Sequence, residues 1–293
     1  MKKIFCLMLA AVCVLWCIGC TPAEQPAQQT DAPPAQDAIA LVLPQENEFY
    51  RKLVQAAEDA AQNSGFCIRT YYSTSVSAQE ANLRSAAAHN AKLIVLDPIA
   101  PDGLDETVQA CGTVFCMLHP VNAQTQTLFC PDYHEFGTQA AEMLAQQEAN
   151  TLLVLPAEDD FVSTLMRDGF LQAAEESQNV SLADTVLFGS GTDAAYEAAL
   201  RALEKNTGIT AVFCTEDAVF GVLEAAEQTG RSIAVVTTGC GEDVTRLKAE
   251  GKILGSVYVD PEALAQDVVK TALAYLREDA DVQTYYPVEV KTQ

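Results

Sequence analysis

The sequence has few basic residues, and tryptophan is absent from all of it after residue 16. Lysine and arginine number 17 against 40 aspartates and glutamates, which gives a net charge of -23. So acidic a surface repels nucleic acid phosphates and anionic lipid headgroups, and it argues against nucleic-acid binding. Because Trp16 is the only tryptophan, aromatic stacking in the rest of the chain must use phenylalanine or tyrosine.

Sequence signatures of enzymes and metal sites are also missing. The chain contains no GxSxG nucleophile elbow, no GxxxxGK[ST] phosphate loop and no HExxH pair. The cysteines after residue 20 form no CxxC pair, and no histidine lies at zinc-ligand spacing. We therefore expect a protein that is not an enzyme and that uses no cofactor and no metal. Most of these cysteines lie in apolar segments and predict buried thiols, with Cys111 and Cys116 the best candidates for a disulfide. They are Cys67, Cys111, Cys116, Cys130, Cys214 and Cys240.

The first twenty residues have the layout of a secretory signal. Two lysines precede an apolar run over residues 4–18, which is shorter than the roughly 20 residues that a membrane-spanning helix needs. A glycine and then Cys20 follow. The layout resembles a bacterial lipoprotein signal, although Cys17 stands where that class usually has leucine. The resemblance implies a signal peptide at residues 1–19 and a lipid on Cys20. The alternatives are an ordinary cleaved signal and a weak uncleaved anchor.

Residues 20–37 carry no large apolar side chain and consist mainly of proline, glutamine, alanine and acidic residues. Such a segment cannot bury enough surface to offset the entropy of ordering it, so it predicts a disordered tether. We expect the folded part to lie outside the cytoplasm, anchored to the cell membrane by the lipid on Cys20.

From residue 38 onward, short apolar segments rich in β-branched residues alternate with amphipathic, alanine-rich segments. Glycines such as Gly65, Gly230 and Gly251 follow predicted helices, where a residue with positive φ commonly ends a helix. This order predicts parallel sheets covered by helices, with ligands bound beyond the carboxyl ends of the strands. The predicted strands are residues 39–43, 67–72, 93–96, 114–118, 127–130, 152–155, 185–188, 211–214, 233–237 and 253–259. The predicted helices are residues 49–64, 78–89, 135–147, 165–177, 194–205, 218–230, 243–251 and 261–278.

Seven segments, taken in order, resemble the type I substrate-binding proteins of sugar ABC importers, a family related to lac-repressor-like effector domains. The resemblance covers nearly all of residues 39–293. The segments are IALVLPQENEFYRKLVQAAEDAAQNSGF, AKLIVLDPIAPDGLDETVQA, PDYHEFGTQAAEML, MRDGFLQAA, TAVFCTEDAVFGVLEAAEQTG, VVTTGCGEDVTRLKAEGKILGSV and YVDPEALAQDVVKTALAYL.

The resemblance implies an α/β fold of two doubly wound parallel-sheet lobes joined by three crossings. Lobe 1 would comprise residues 38–120 and 260–279, and lobe 2 residues 121–259 and 280–293. The implied partners are a small polar ligand, a sugar or sugar-like molecule closed between the lobes by a hinge, and an ABC permease. The protein itself would be a monomer. The alternatives are a module of the same fold that reports to a sensor kinase or chemoreceptor, and a degenerate lipoprotein whose ligand carries an amine.

Candidate ligand contacts in lobe 1 follow the predicted strands. Asn47, Phe49 and Tyr50 stand where the family often has Asn-Pro-aromatic-aromatic, a run whose rings would stack on a sugar. Asn47 would bond a hydroxyl or simply cap a helix. In an alternative interpretation, Phe49 packs beneath the helix and only Tyr50 meets solvent. Asp97 occupies the family's Asn-Pro position, and His119 follows a strand near the first crossing, where it either contacts ligand or makes a structural hydrogen bond.

Candidate contacts in lobe 2 are mainly acidic. Asp160 follows a strand, and Arg167 lies one residue beyond the family's arginine position, which rotates its side chain by about 100° on a helix. Glu216 stands at the family's Asn-Asp position and would accept hydrogen bonds from hydroxyls. Tyr258 and Asp260 flank the place of a family glutamine. Carboxylates without an arginine partner favour a ligand with an amine or many hydroxyl donors.

Overall fold

A computed structural model of the protein describes residues 36–157, 160–277 and 281–293, and residues 36–293 form one compact unit. The predicted signal peptide, the lipid site at Cys20 and the tether up to residue 35 lie outside the described residues.

Twelve strands and nine α-helices alternate through most of this unit. The strands are β1 (Ala38–Leu43), β2 (Cys67–Tyr72), β3 (Ala91–Leu96), β4 (Val114–Met117), β5 (Thr127–Pro131), β6 (Ala149–Pro156), β7 (Val180–Phe188), β8 (Ala211–Cys214), β9 (Ala234–Thr238), β10 (Gly255–Tyr258), β11 (Tyr285–Val288) and β12 (Lys291–Thr292). The helices are α1 (Glu48–Ala61), α2 (Val76–Ala88), α3 (Asp105–Ala110), α4 (Tyr133–Leu144), α5 (Asp160–Glu176), α6 (Thr192–Lys205), α7 (Val219–Gln228), α8 (Glu242–Ala249) and α9 (Pro261–Leu276).

The strands form two six-stranded sheets, in the orders β11-β5-β4-β3-β1-β2 and β12-β10-β9-β8-β6-β7. Every pairing is parallel except that of the short β12 with β10. The first lobe is the first sheet with α1, α2, α3 and α9, and the second lobe is the second sheet with α4 to α8. The predicted fold class is confirmed: two parallel-sheet α/β lobes.

The chain passes between the sheets three times, from β5 to α4, from β10 to α9 and from β11 to β12. The predicted lobe boundaries at residues 120 and 279 differ from this arrangement. β5 pairs with β4 through Phe115 and Thr127, and β11 pairs with β5, so both strands extend the first sheet. The first crossing therefore lies after Pro131 rather than after residue 120.

The core explains why the central strands read as continuous apolar runs. All six residues of β1 are buried because helices cover both faces of the sheet, whereas β2, an edge strand, is only half-buried. One cluster of buried side chains runs through both lobes, from Leu41 and Phe115 to Leu153 and Phe213. The two lobes therefore share a hydrophobic connection.

Two glycines let α4 and α5 approach each other closely. A Cβ atom on Gly137 would collide with the Met166 carbonyl oxygen, and one on Gly169 would collide with the His134 carbonyl oxygen. Backbone therefore packs directly against backbone at this crossing of helices. Phe170, next to Gly169, is fully buried against the ring of Phe213 in β8.

Candidate functional site

The loop after β1 leads into α1, and its last residue, Asn47, caps that helix. The Oδ1 atom of Asn47 accepts a hydrogen bond from the Tyr50 backbone nitrogen at 3.0 Å. This bond satisfies one of the N–H groups that a helix start leaves without a partner. Of the two roles predicted for Asn47, the structure shows the cap.

A buried hydrogen-bonded cluster joins three predicted site residues in the first lobe. Asp97 has 0% exposed surface; the Tyr50 hydroxyl donates to its Oδ2 at 2.5 Å, and Nδ1 of His119 lies 2.7 Å from its Oδ1. Burial, and then the charge of Asp97, raise the pKa of Tyr50 well above its ordinary value, so the hydroxyl remains a donor. Because both carboxylate oxygens are engaged, Asp97 acts as an internal support for Tyr50 and His119.

Of the two aromatic residues of α1, Phe49 is the more exposed. This is the reverse of the predicted alternative, in which Phe49 packs beneath the helix and only Tyr50 meets solvent. Tyr50 is the buried ring, because it lies on the same helix face as the buried Leu53 and Ala57. Phe49 is only partly buried, and its ring contacts the edge of Tyr50 with centroids 5.3 Å apart. Phe49 is therefore the aromatic surface that this helix presents at the cleft.

The backbone turns sharply between β4 and His119. Leu118 has a φ of 61°, a left-handed conformation that is unusual for a branched residue, and the His119 N–H donates to the Met117 carbonyl at 2.7 Å. The Leu118 carbonyl accepts hydrogen bonds from the Cys130 thiol at 2.8 Å and from the Tyr133 hydroxyl at 3.4 Å. These contacts hold the turn that brings the imidazole to Asp97.

Two further residues, which sequence reasoning missed, complete this wall of the cleft. The buried side chain of Gln79 donates to the Asp97 carbonyl at 2.7 Å and accepts from the Ile99 N–H at 2.9 Å, which fixes the loop after β3. The ring of Tyr133 stacks on that of His119, with centroids 5.9 Å apart. Neither residue lies beside the others in sequence, so no local pattern marks them.

Glu48, in the first turn of α1, reaches the second lobe. Its Oε1 and Oε2 atoms lie 3.1 and 2.9 Å from the backbone nitrogen of Glu242, which donates to them. Lys52 pairs with Glu48, with 2.7 Å between Nζ and Oε1. The hydrogen bond from Lys52 is the main cause that lowers the pKa of Glu48, and the Glu242 N–H acts in the same direction against the effect of burial. Glu48 is therefore held as a carboxylate.

Glu216 lies on the opposite wall, in a single 3-10 turn after β8. The residue as a whole is exposed, but its carboxylate packs against Gly239 and Gly241, close to that of Glu48. Burial is the main cause that raises the pKa of Glu216 above its ordinary value; the nearby carboxylates add to it, and the Gly241 N–H opposes it. A cavity of about 20 Å³, bordered also by Phe49, remains between these groups. It has room for about one water molecule.

Asp260 has a structural role at the second crossing. Its Oδ1 atom caps α9 by accepting from the backbone nitrogens of Glu262 at 3.0 Å and Ala263 at 3.3 Å, and its Oδ2 atom lies 3.0 Å from Nζ of Lys291. Burial acts to raise the pKa of Asp260, but these bonds outweigh it and hold that pKa below its ordinary value. Tyr258, at the end of β10, is partly buried beside it.

Arg167 does not join the other candidate residues. Its guanidinium is exposed and pairs with the neighbouring Asp168 at 3.1 Å, whereas Met166, one residue earlier, is buried. The one-residue shift seen in the sequence therefore turns the arginine to the outer face of α5. Asp160 begins the same helix, and its side chain lies outside the described part of the chain.

All six cysteines after residue 20 are free thiols, so the candidate pair Cys111 and Cys116 is not bonded. Burial raises the pKa values of Cys116, Cys130 and Cys214 to about 12, which makes these thiols poor nucleophiles. Within residues 36–157, 160–277 and 281–293, no three histidine, cysteine or acidic side chains are grouped as metal ligands. No helix in these ranges has both the length and the apolar character needed to cross a bilayer.

The chain matches one family model and many solved structures. The model of the periplasmic binding protein domain matches residues 39–280. A sugar-binding protein of a Bacillus halodurans ABC transporter has a TM-score of 0.81 at 15% identity, covering 88% of this chain and 97% of that one. The periplasmic component of an ABC-type sugar transport system from Hahella chejuensis has a TM-score of 0.75 at 21% identity, over 87% and 98%. An Actinobacillus succinogenes solute-binding protein with bound D-allose has a TM-score of 0.78 at 16% identity, over 88% and 97%. No curated protein sequence matches the chain significantly.

Proposed function

Because the chain belongs to the periplasmic binding protein domain family, we propose that it captures a small polar solute between its lobes and delivers it to an ABC permease. The observation that carries this proposal is the arrangement of two parallel-sheet lobes, joined by three crossings, with Glu48 and Glu216 bordering one cavity from opposite lobes. A ligand that contacts both walls favours the closed arrangement and shifts the equilibrium toward it.

A sugar is the ligand class that this cleft supports best. Phe49 offers a partly exposed ring that suits the C–H face of a pyranose, while His119, Tyr258 and Glu216 supply hydrogen-bonding groups from both lobes. Asp160 begins α5, the helix that follows β6, and belongs to the proposed set. The structural likeness to the Actinobacillus succinogenes protein with bound D-allose supports the same class.

A ligand with an amine is the second candidate. It is favoured by the two carboxylates, Glu48 and Glu216, that converge from opposite lobes with Lys52 as the cation beside them. An ammonium group would offset both the burial that mainly raises the pKa of Glu216 and the repulsion from nearby carboxylates that adds to it.

The anchor belongs to the proposal as well. A lipid on Cys20 and a flexible tether would keep the binding unit close to its permease while leaving it free to turn. Growing the source cells with an alkyne-bearing fatty acid tests this point. We expect the wild-type protein and the control Cys67→Ser to take up label, and Cys20→Ser to remain unlabelled. Equal labelling of all three would contradict lipidation at Cys20.

The experiment that tests ligand binding is a thermal-shift screen on residues 36–293, read with an external dye because this unit has no tryptophan. The panel holds pentoses, hexoses including D-allose, polyols, amino acids and polyamines. A ligand that binds only the folded state adds about 2.7 kcal/mol of stability at a hundredfold excess over Kd, which corresponds to several degrees.

A matched pair of variants ties any shift to the cleft. Phe49→Ala should abolish the shift produced by a sugar, whereas Phe220→Ala, at an exposed ring of α7 beside Leu247, should keep it. A shift with amines alone would replace the sugar by the second candidate. The absence of any shift across the panel would contradict the proposed function.

A further inference from the structure

The start of α8 is capped by a residue from the other lobe. Its own N-cap residue is Gly241, which has no side chain to offer, and no local side chain accepts from the first turn. The backbone N–H of Glu242 instead donates to the carboxylate of Glu48, with both oxygens within 3.1 Å. The two residues are 194 positions apart in the chain. A helix start carries partial positive charge, so a carboxylate is a favourable partner there.

The surrounding residues fit this contact closely. Gly241 has a φ of -64° and a ψ of 168°, values that any residue can adopt, so its backbone does not require glycine. A Cβ atom at this position would, however, lie 2.6 Å from Oε1 of Glu216 and 3.0 Å from Oε2 of Glu48. Lys52, one turn after Glu48, holds the carboxylate in place. The absence of a side chain at Gly241 thus leaves room for both carboxylates at the start of α8.

We propose that the bond from the Glu242 N–H to Glu48 is a closing contact, made only when the lobes are together, and that it sets how much of the ligand-free protein is closed. The inference rests on the proposed hinge closure but not on the identity of the ligand. A ligand that needs the closed form would then bind with an affinity that depends on this contact.

The charges around the contact limit its strength. The negative charges of Glu48, Asp217 and Asp243 all act on Glu216, while Arg246 is engaged by Asp243 at 2.6 Å. Only Lys52 pairs directly with Glu48 among the described residues. The contact therefore shifts the equilibrium between the open and closed arrangements of the lobes toward the closed one, but it still allows the lobes to open. Its loss should reduce the ratio of closed to open protein by about threefold to tenfold.

Hydrogen exchange of the ligand-free protein, read on peptides that cover residues 238–245, tests the proposal. Glu48→Ala should raise the exchange rate of the Glu242 amide about threefold to tenfold. It should also increase the radius of gyration measured by small-angle X-ray scattering. The matched control is Glu46→Ala, which removes an exposed carboxylate two residues earlier that lies 3.8 Å from Arg51. This control should change neither quantity.

A second variant reaches the same contact from the other lobe. Gly241→Ala keeps every charge but crowds both carboxylates, so it should also raise exchange at Glu242 and increase the radius of gyration, by less than Glu48→Ala does. If both variants match the Glu46→Ala control in exchange and in radius of gyration, the closing contact is refuted. Because no ligand is used, this result is independent of the ligand screen, and the two proposals fail separately.

Discussion

Tyr50 donates a hydrogen bond of 2.5 Å to Asp97, a carboxylate with no exposed surface, and so fastens α1 to the end of β3. His119 lies 2.7 Å from the other carboxylate oxygen, so the same buried acid also holds the segment after β4. Three strand ends of the first lobe are thereby tied together beneath the cleft. Residues that resemble ligand contacts in sequence serve here, in part, to support the wall that a ligand would meet.

Removing the Tyr50 hydroxyl should destabilise the protein although the change is small. Tyr50→Phe leaves one oxygen of the buried Asp97 without its donor, and an unsatisfied buried acceptor costs about 1–3 kcal/mol. We expect the free energy of unfolding in urea to fall by that amount. The control is Tyr71→Phe, since Tyr71 is half-buried and its hydroxyl makes no hydrogen bond within the described ranges. Equal losses in the two variants would show that the Asp97 bond contributes nothing specific.

Neutralising Glu216 should stabilise the protein at neutral pH. The pKa of Glu216 is raised above its ordinary value of 4.5, so the folded state binds this proton more tightly than the unfolded state. The free energy of unfolding of the wild type therefore decreases as the pH rises from about 4.5 through the raised pKa. Glu216→Gln has no titrating group at this position, so it does not undergo this decrease. We expect Glu216→Gln to melt at a higher temperature than the wild type at pH 7, with a difference that shrinks toward pH 4.

A matched control separates this local effect from the loss of one negative charge. Glu224→Gln removes a charge from the exposed face of α7, away from the cleft. It should shift the melting temperature far less than Glu216→Gln at pH 7. Glu216→Gln melting at the same temperature as Glu224→Gln at both pH values would contradict a pKa of Glu216 raised by burial and by the neighbouring carboxylates.

Sequence pattern predicted most of the fold because the central strands are continuous apolar segments and the helices between them are mostly long. All ten predicted strands and all eight predicted helices are present, some longer and some shorter than predicted. The elements that were missed are short or irregular: α3 has six residues, β12 has two, and β11 contains Pro287. Proline cannot donate to a sheet ladder and is tolerated at an edge, which is where β11 lies. The misplaced lobe boundaries follow from the missed β11 and from pairing that local sequence does not encode.

The site was less predictable because its decisive contacts join distant residues. Tyr50 looked like an exposed ring, but it is buried and donates a hydrogen bond to Asp97, 47 residues away. The i,i+4 spacing of Glu48 and Lys52 indicates an ion pair, yet it says nothing of the Glu242 N–H that completes the site. Asp260 was predicted as a ligand contact, whereas in the structure it caps α9 and pairs with Lys291 of the missed β12. Patterns along the chain identify roles within one element and not the partners across the fold.

Asp260 should contribute more to stability than its partner Lys291. Asp260→Ala removes the cap of α9 together with the ion pair and should cost about 1–2 kcal/mol, while Lys291→Met removes only a partly exposed pair worth about 0–1 kcal/mol. Because the pKa of Asp260 lies below its ordinary value of 3.8, this contribution is complete above about pH 4 and is lost as the pH falls through the lower value.

Urea unfolding at pH 7 and at pH 3 measures both points for the Asp260 pair. Glu289→Ala serves as the control, since its carboxylate is 78% exposed and lies 3.8 Å from Nζ of Lys291. It should change the free energy of unfolding by less than about 0.5 kcal/mol. A larger loss in Lys291→Met than in Asp260→Ala would contradict the capping role.

The contact between α4 and α5 should be too close to accommodate even a methyl group. In an unconstrained helix, replacing glycine by alanine stabilises by about 0.5–1 kcal/mol, because alanine loses less backbone entropy. At Gly137, however, the added Cβ would meet the Met166 carbonyl oxygen, so the helices must separate and lose packing. We expect Gly137→Ala to lower the free energy of unfolding by about 1–3 kcal/mol despite its better helix propensity.

Gly189→Ala, at a position with no atom within 4 Å of the added Cβ, should leave the free energy of unfolding nearly unchanged. Measured by urea denaturation, a gain of stability in Gly137→Ala would mean that the two helices are not in direct backbone contact.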